Sequence, residues 1–124
     1  MVLDASALLA LLQNETGAAQ VQAVLPKALI SSVNWAEVIQ KLSVFDPNAS
    51  DIRPELEATG LKIVPFSVQQ AEVCAGLWAL TKPYGLSLGD RACIALGIQK
   101  KQTVITADKV WEKLSVSIKI EVIR

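Results

Sequence analysis

The sequence predicts one alternating α/β domain over residues 1–124, built on a parallel sheet. Three observations carry that expectation. Apolar residues switch repeatedly between strand-like runs and stripes at helical spacing, the alternation that a layered α/β domain requires. No internal repeat, low-complexity tract or linker interrupts it. At 124 residues the chain can bury roughly two thirds of the surface that its unfolded form exposes, so it needs no disulfide to hold it together. Strands separated by helices then pair in parallel through right-handed crossovers.

The elements follow in order. "MVL" reads as a short strand leading into the helix "ASALLALLQ", and a second helix runs from about Gly17 to Leu25 until Pro26 interrupts it, because the ring cannot continue the hydrogen-bond ladder. "ALI" is a buried strand. "SSVNWAEVIQKL" opens with serines that can cap a helix and sets Trp35, Val38, Ile39 and Leu42 on one stripe. A break at "DPNAS" starts another helix, which ends near Gly60. "LKIVPF" is the third strand, and Ser67 with Gln70 in "SVQQ" makes a capping box for a helix reaching about Thr81. Pro83 and Gly85 turn the chain into the helix "SLGDRACIALG", which is followed by the strand "TVIT", a short helix after "AD" and a last strand, "SIKIEVI", alternating at period two. Leu77, Trp78 and Trp111 could cover an interface, although aromatics at helical spacing belong more often to a core.

Composition narrows the function classes. The chain is 52 % hydrophobic with a mean hydropathy of +0.38, yet no apolar run approaches the ~18 residues of a membrane span. A soluble protein is expected, with part of its apolar surface covered by a partner or a second copy. Nothing before "MVLD" resembles a secretion signal, so a cytoplasmic location is expected. Cys74 and Cys93 lie on apolar helical stripes and read as buried free thiols. Histidine is absent, which removes Ser-His triads, the common zinc sites and imidazole acid-base chemistry. Net charge is zero and the pI about 6.2, against non-specific nucleic-acid binding but not against a local basic rim. Lys100, Lys101, Lys109 and Lys113 cluster late in the chain and are either such a rim or ordinary solvated faces.

The acids are more informative. In a parallel α/β layer the carboxyl ends of strands and the amino ends of helices share one sheet edge, where ligands bind. Asp4 follows the first strand, Asp108 follows "TVIT", Asp90 opens the helix before that strand, and Glu37 sits about five residues into the helix after the second strand. All four are delivered to one edge. Glu37 fits least well, since five residues is ~7.5 Å of rise and the wheel places it off the Trp35 stripe, facing solvent. The other acids also have a local explanation: Asp4 and Asp108 could cap the helices that follow them, and Ser87 with Asp90 matches a capping box. Convergence argues for more, because crowded carboxylates raise one another's pKa and destabilise the fold unless a cation intervenes. Oxygen ligands alone point to Mg2+ or Mn2+, and such a centre suits phosphodiester cleavage without a covalent protein nucleophile. Ser6 and Thr106 could hydrogen-bond a ligand carboxylate or cap locally.

"VLDASALLALL", "ISSVNWAEVIQKL", "GLSLGDRACIALG" and "VITADKVW" together resemble the PIN-domain nucleases, most closely the toxin ribonucleases of VapBC-type toxin-antitoxin pairs. Four motifs in order span almost the whole chain. The resemblance implies a three-layer sandwich with a five-stranded parallel sheet in order 3-2-1-4-5, flanked by helices, and a Mg2+- or Mn2+-dependent endoribonuclease. It implies that Asp4, Glu37 and Asp90 are the main catalytic and metal-binding acids, with Asp108 a fourth of more variable role; Glu37 enters on this ground alone. It further implies an RNA substrate such as tRNA or ribosomal RNA, a homodimer, and a small antitoxin partner that is also a DNA-binding repressor. The competing classes are a binding or assembly module whose acids are only caps, a PIN nuclease with a non-toxin role in RNA processing, and a receiver domain. The last would need an acidic pair after the first strand and a phosphorylatable Asp ending the third, where this chain has "LDAS" and "VPFS".

Overall fold

Val2 and Leu3 form the centre of the sheet because both side chains are fully buried and successive strand residues face opposite sides. In the computed structural model, which describes residues 1–124, Val2 belongs to the same apolar cluster as Val104, Cys93, Leu96 and Trp111. Leu3 belongs to the other, with Ile105, Leu8, Val21, Val38 and Leu56. One short strand therefore anchors two cores.

The strands are β1 (Val2–Leu3), β2 (Leu29–Ser31), β3 (Lys62–Val64), β4 (Val104–Thr106) and β5 (Ile120–Val122). They form one sheet in the order β3-β2-β1-β4-β5, parallel at every pairing, as expected. On the Leu3 face lie α1 (Ala5–Leu12), α2 (Ala18–Val24), α3 (Ser32–Leu42) and α4 (Arg53–Ala58). On the Val2 face lie α5 (Val68–Gly76) and α7 (Leu88–Lys100), joined by a short α6 (Trp78–Thr81) and a 3-10 turn over Lys82–Tyr84. No helix is long and apolar enough to cross a membrane.

Caps fix where the helices begin. Ser31 accepts a hydrogen bond from the Val33 amide and Ser67 one from the Gln70 amide, satisfying N–H groups that a helix start leaves open. Only half of the capping box at Ser67 forms: the Gln70 side chain turns away and donates to Gln99 on α7 at 2.9 Å. A contact across the helix pair replaces the local one. The expected single helix to Thr81 is also interrupted, at Leu77, and the last strand is confined to Ile120–Val122. Both cysteines are buried and free.

Trp111 and Leu77 join the core, whereas Trp78 is half exposed, with the Lys82 ammonium 4.7 Å from its ring centre. The four late lysines do not make one patch. Lys100 and Lys101 end α7 at the amino edge of the sheet, and Lys109 and Lys113 follow β4 at the carboxyl edge. All four are exposed.

Gly97 lets α7 approach β4, since a Cβ there would run into the Val104 side chain and stand 3.3 Å from the Gln102 carbonyl. Gly97→Ala should therefore destabilise the fold by about 1–3 kcal/mol, the usual effect of overpacking, read as a lower urea midpoint with unchanged slope.

Candidate active site

β1 ends one residue before Asp4, and the Asp4 amide donates to the Ile105 carbonyl at 2.9 Å, so this acid is carried on strand backbone. It occupies the N-cap position of α1 but makes no cap bond. Its Oδ2 instead accepts from Ser6 Oγ at 2.7 Å and from Thr106 Oγ1 at 3.0 Å. Each hydroxyl is oriented by the backbone beyond it: the Ala107 amide donates to Ser6 Oγ at 2.9 Å and the Asp108 amide to Thr106 Oγ1 at 3.1 Å. With an amide on one lone pair from behind, each hydroxyl turns its proton to the carboxylate. Both bonds fall on one oxygen, which leaves Oδ1 as the free side of the carboxylate.

Asp90 arrives from α7. Its amide donates to Ser87 Oγ at 3.1 Å and its Oδ2 accepts from the Ser87 amide at 2.9 Å, a complete capping box. Half-buried at the start of the helix, it also lies where the helix dipole favours negative charge. Cap and site acid are thus compatible roles here. Asp108 is exposed and caps its 3-10 helix through the Val110 amide at 3.0 Å.

Glu37 is half-buried rather than turned to solvent as its periodicity predicts. Its Oε1 accepts from Asn34 Nδ2 at 2.8 Å, and the same nitrogen donates to the Gly89 carbonyl at 2.9 Å. A side chain at Gly89 would meet the Glu37 carboxyl atoms at 2.7 Å. Asn34 and Gly89 were not among the expected site residues. The readable signals were a polar residue one turn before Glu37 and a glycine beside Asp90 in a first helical turn.

The electrostatics identify which acids share a site. Asp4 is almost fully buried, and its pKa is pushed up to about 6, first by burial and then by the nearby charges of Asp90 and Glu37, against the Ser6 and Thr106 hydroxyls that hold it down. The Cys93 thiol, wholly buried, is pushed well above its usual range by burial and then by the same trio, Asp4, Asp90 and Glu37. Asp108 acts on neither group. Glu37 and Asp90 therefore both come within electrostatic reach of Asp4, while Asp108 is exposed and engaged as a cap. No three Asp, Glu or Cys side chains are closed into a metal-holding cage. The chemistry of the donors still fits a hard cation, because like charges converge and every candidate donor is oxygen.

A parallel sheet in this strand order, with acids gathered at its carboxyl edge and no glycine-rich turn after the first strand, defines an α/β protein whose candidate site is lined by carboxylates. The chain belongs to the PIN domain family, whose pattern it matches over residues 1–116, a family of nucleases. Among solved structures it is similar to a toxin-antitoxin complex from Klebsiella pneumoniae, at 25 % identity and a TM-score of 0.71 over 90 % of each chain. It also resembles DNA-bound VapBC from Salmonella typhimurium (15 % identity, TM-score 0.73, 97 % of this chain and 95 % of that one). VapBC2 from Rickettsia felis bound to a promoter DNA fragment is comparable, at 16 % identity and a TM-score of 0.72 over 97 % and 96 % of the two chains. No curated protein sequence matches the chain.

The raised Asp4 pKa has a consequence for stability. Between the ordinary value of 3.8 and about 6 the folded chain holds more protons at Asp4 than the unfolded chain, so stability falls as pH rises through that window. Above about 6 the loss is complete, of order 3 kcal/mol. In chelator, Asp4→Asn should be more stable than the parent at pH 7 and lose that advantage by pH 4. Urea midpoints at the two pH values check this; an advantage that persists at pH 4 contradicts it.

Proposed function

We propose that this chain is a Mg2+- or Mn2+-dependent endoribonuclease acting as the toxin of a type II toxin-antitoxin pair. Asp4 carries the reading. A carboxylate that makes no cap bond, lies buried and gathers two like charges has no purpose in a module whose acids only cap helices. Capping does explain Asp108, which we assign a flanking role beside the central Asp4, Glu37 and Asp90.

Those three acids would hold the cation, with Asp108 at the rim. When bound, it supplies the Lewis acidity that lowers the pKa of an attacking water and stabilises the leaving oxygen. The chain's own part is positioning. Ser6 and Thr106 hold Asp4 by one oxygen and keep it ionised despite burial. The capping box with Ser87 holds Asp90 at the amino end of α7. Asn34 turns Glu37 inward. No histidine or thiolate near the acids competes as a softer ligand, because the chain lacks histidine and Cys93 is held protonated by burial and the surrounding negative charge.

Similarity to toxin-antitoxin complexes supports a small antitoxin as partner. Exposed Val44, Phe45 and Trp78 add apolar surface that a partner or second copy would cover. A homodimer, an RNA substrate of the tRNA or ribosomal RNA class and a cytoplasmic site of action complete the proposal.

Asp4→Asn and Asp90→Asn should each lower Mg2+-dependent RNA cleavage by at least about a hundredfold while the protein remains folded. Asp108→Asn should lower it less than about tenfold. Full cleavage by either of the first two sinks the assignment. Expressed alone, the chain should arrest growth, and a short neighbouring reading frame should relieve the arrest; harmless expression of a chain that still cleaves RNA points to RNA processing instead.

A further inference from the structure

The joint between α3 and α7 contains a buried amide that the acids alone do not explain. Asn34 lies on the inner face of α3 with no exposed surface, a place where an apolar side chain of similar shape would pack without polar atoms. Its Nδ2 donates to Glu37 Oε1 at 2.8 Å and to the Gly89 carbonyl at 2.9 Å. An amide nitrogen carries two N–H donors, and both are used. The Asn34 Oδ1 is buried without a partner. Turning the amide over would press that oxygen against two other acceptors, so the partners fix its orientation. An orphaned carbonyl is what it costs to aim both N–H groups at Glu37 and Gly89.

The other half of the joint is a space. A Cβ at Gly89 would stand 2.7 Å from Cδ, Oε1 and Oε2 of Glu37, and Gly89 is not among the glycines with positive φ. The missing side chain answers a demand for room. The Glu37 carboxylate lies where that side chain would be, against the first turn of α7, and the next residue along that turn is Asp90.

We propose that Asn34 is a positioning residue: its amide ties the Glu37 carboxylate to the first turn of α7, fixes Glu37 relative to Asp90, and so sets how tightly the acid edge binds a divalent cation. This rests on the reading of these acids as a metal-dependent nuclease site. Asn34 touches no substrate and acts through Glu37.

Asn34→Leu keeps much of the shape, removes the orphaned oxygen and leaves Glu37 free to swing. A merely structural asparagine and a positioning one then differ in sign. The metal-free melting temperature of Asn34→Leu should equal or exceed that of the parent, while the Kd for Mn2+, titrated into the full chain and followed by the paramagnetic resonance of the free ion, should rise about tenfold. Glu37→Gln should weaken Mn2+ binding comparably, and adding Asn34→Leu to it should weaken binding no further. Asn34→Ser keeps one donor and gives the same test if the leucine variant folds poorly: a Kd between the parent's and that of Glu37→Gln upholds the proposal. A parental Kd in either Asn34 variant, or additive losses in the double variant, overturns it, while loss of Mn2+ binding by Asp4→Asn still upholds the metal site. A parent that neither binds Mn2+ nor cleaves RNA overturns both.

Discussion

The Asp4 carboxylate, held by Ser6 and Thr106 at the carboxyl end of the central strand, ties three elements to one atom. Ser6 belongs to α1, Thr106 to β4, and Asp4 itself extends β1. The two hydroxyls come from residues far apart in sequence, and each is oriented by a backbone amide of the segment after β4. Burying a carboxylate is unfavourable unless hydrogen bonds or countercharge offset the lost hydration. Two hydroxyl donors meet part of that need, and the Asp4 pKa still stands raised to about 6 by burial and by neighbouring charge.

The remaining imbalance comes partly from α3 and α7. Both helices start at the carboxyl edge of the sheet and deliver Glu37 and Asp90 toward Asp4. Each acid has its own local support: the capping box for Asp90, and the Asn34 amide with the space over Gly89 for Glu37. Local bonding thus stabilises acids that repel one another collectively. That arrangement weakens an empty site and favours a cation, so the fold and the proposed chemistry place opposite demands on the same residues.

Much of this was legible along the chain. The alternation of strand-like and helical stretches predicted the parallel sheet, and serines before apolar stripes marked the starts of α3, α5 and α7. Asp4, Asp90 and Asp108 could be placed at the carboxyl edge because each adjoins a strand end or a helix start. Glu37 shares that edge by its position after β2, but its inward orientation is not legible, since the wheel sorts residues by hydrophobicity and this one is turned inward for a polar reason. It was reached through the family resemblance. Gln70 shows the converse: "SVQQ" satisfies the local rule for a capping box, yet a tertiary contact with Gln99 outcompeted the second local bond.

Element order, the free thiols, the lack of imidazole chemistry and the delivery of acids to one edge were determined by the sequence itself, because they depend on residue type and on neighbours within a turn or two. Tertiary structure alone decided which acids act on Asp4, that Asp108 stays exposed as a cap, that the late lysines separate to opposite edges, and that Asn34 and Gly89 belong beside Glu37. Each of these depends on distances between segments distant in the chain. Hydrogen bonding and repulsion act over a few ångströms of space, whatever the separation in sequence.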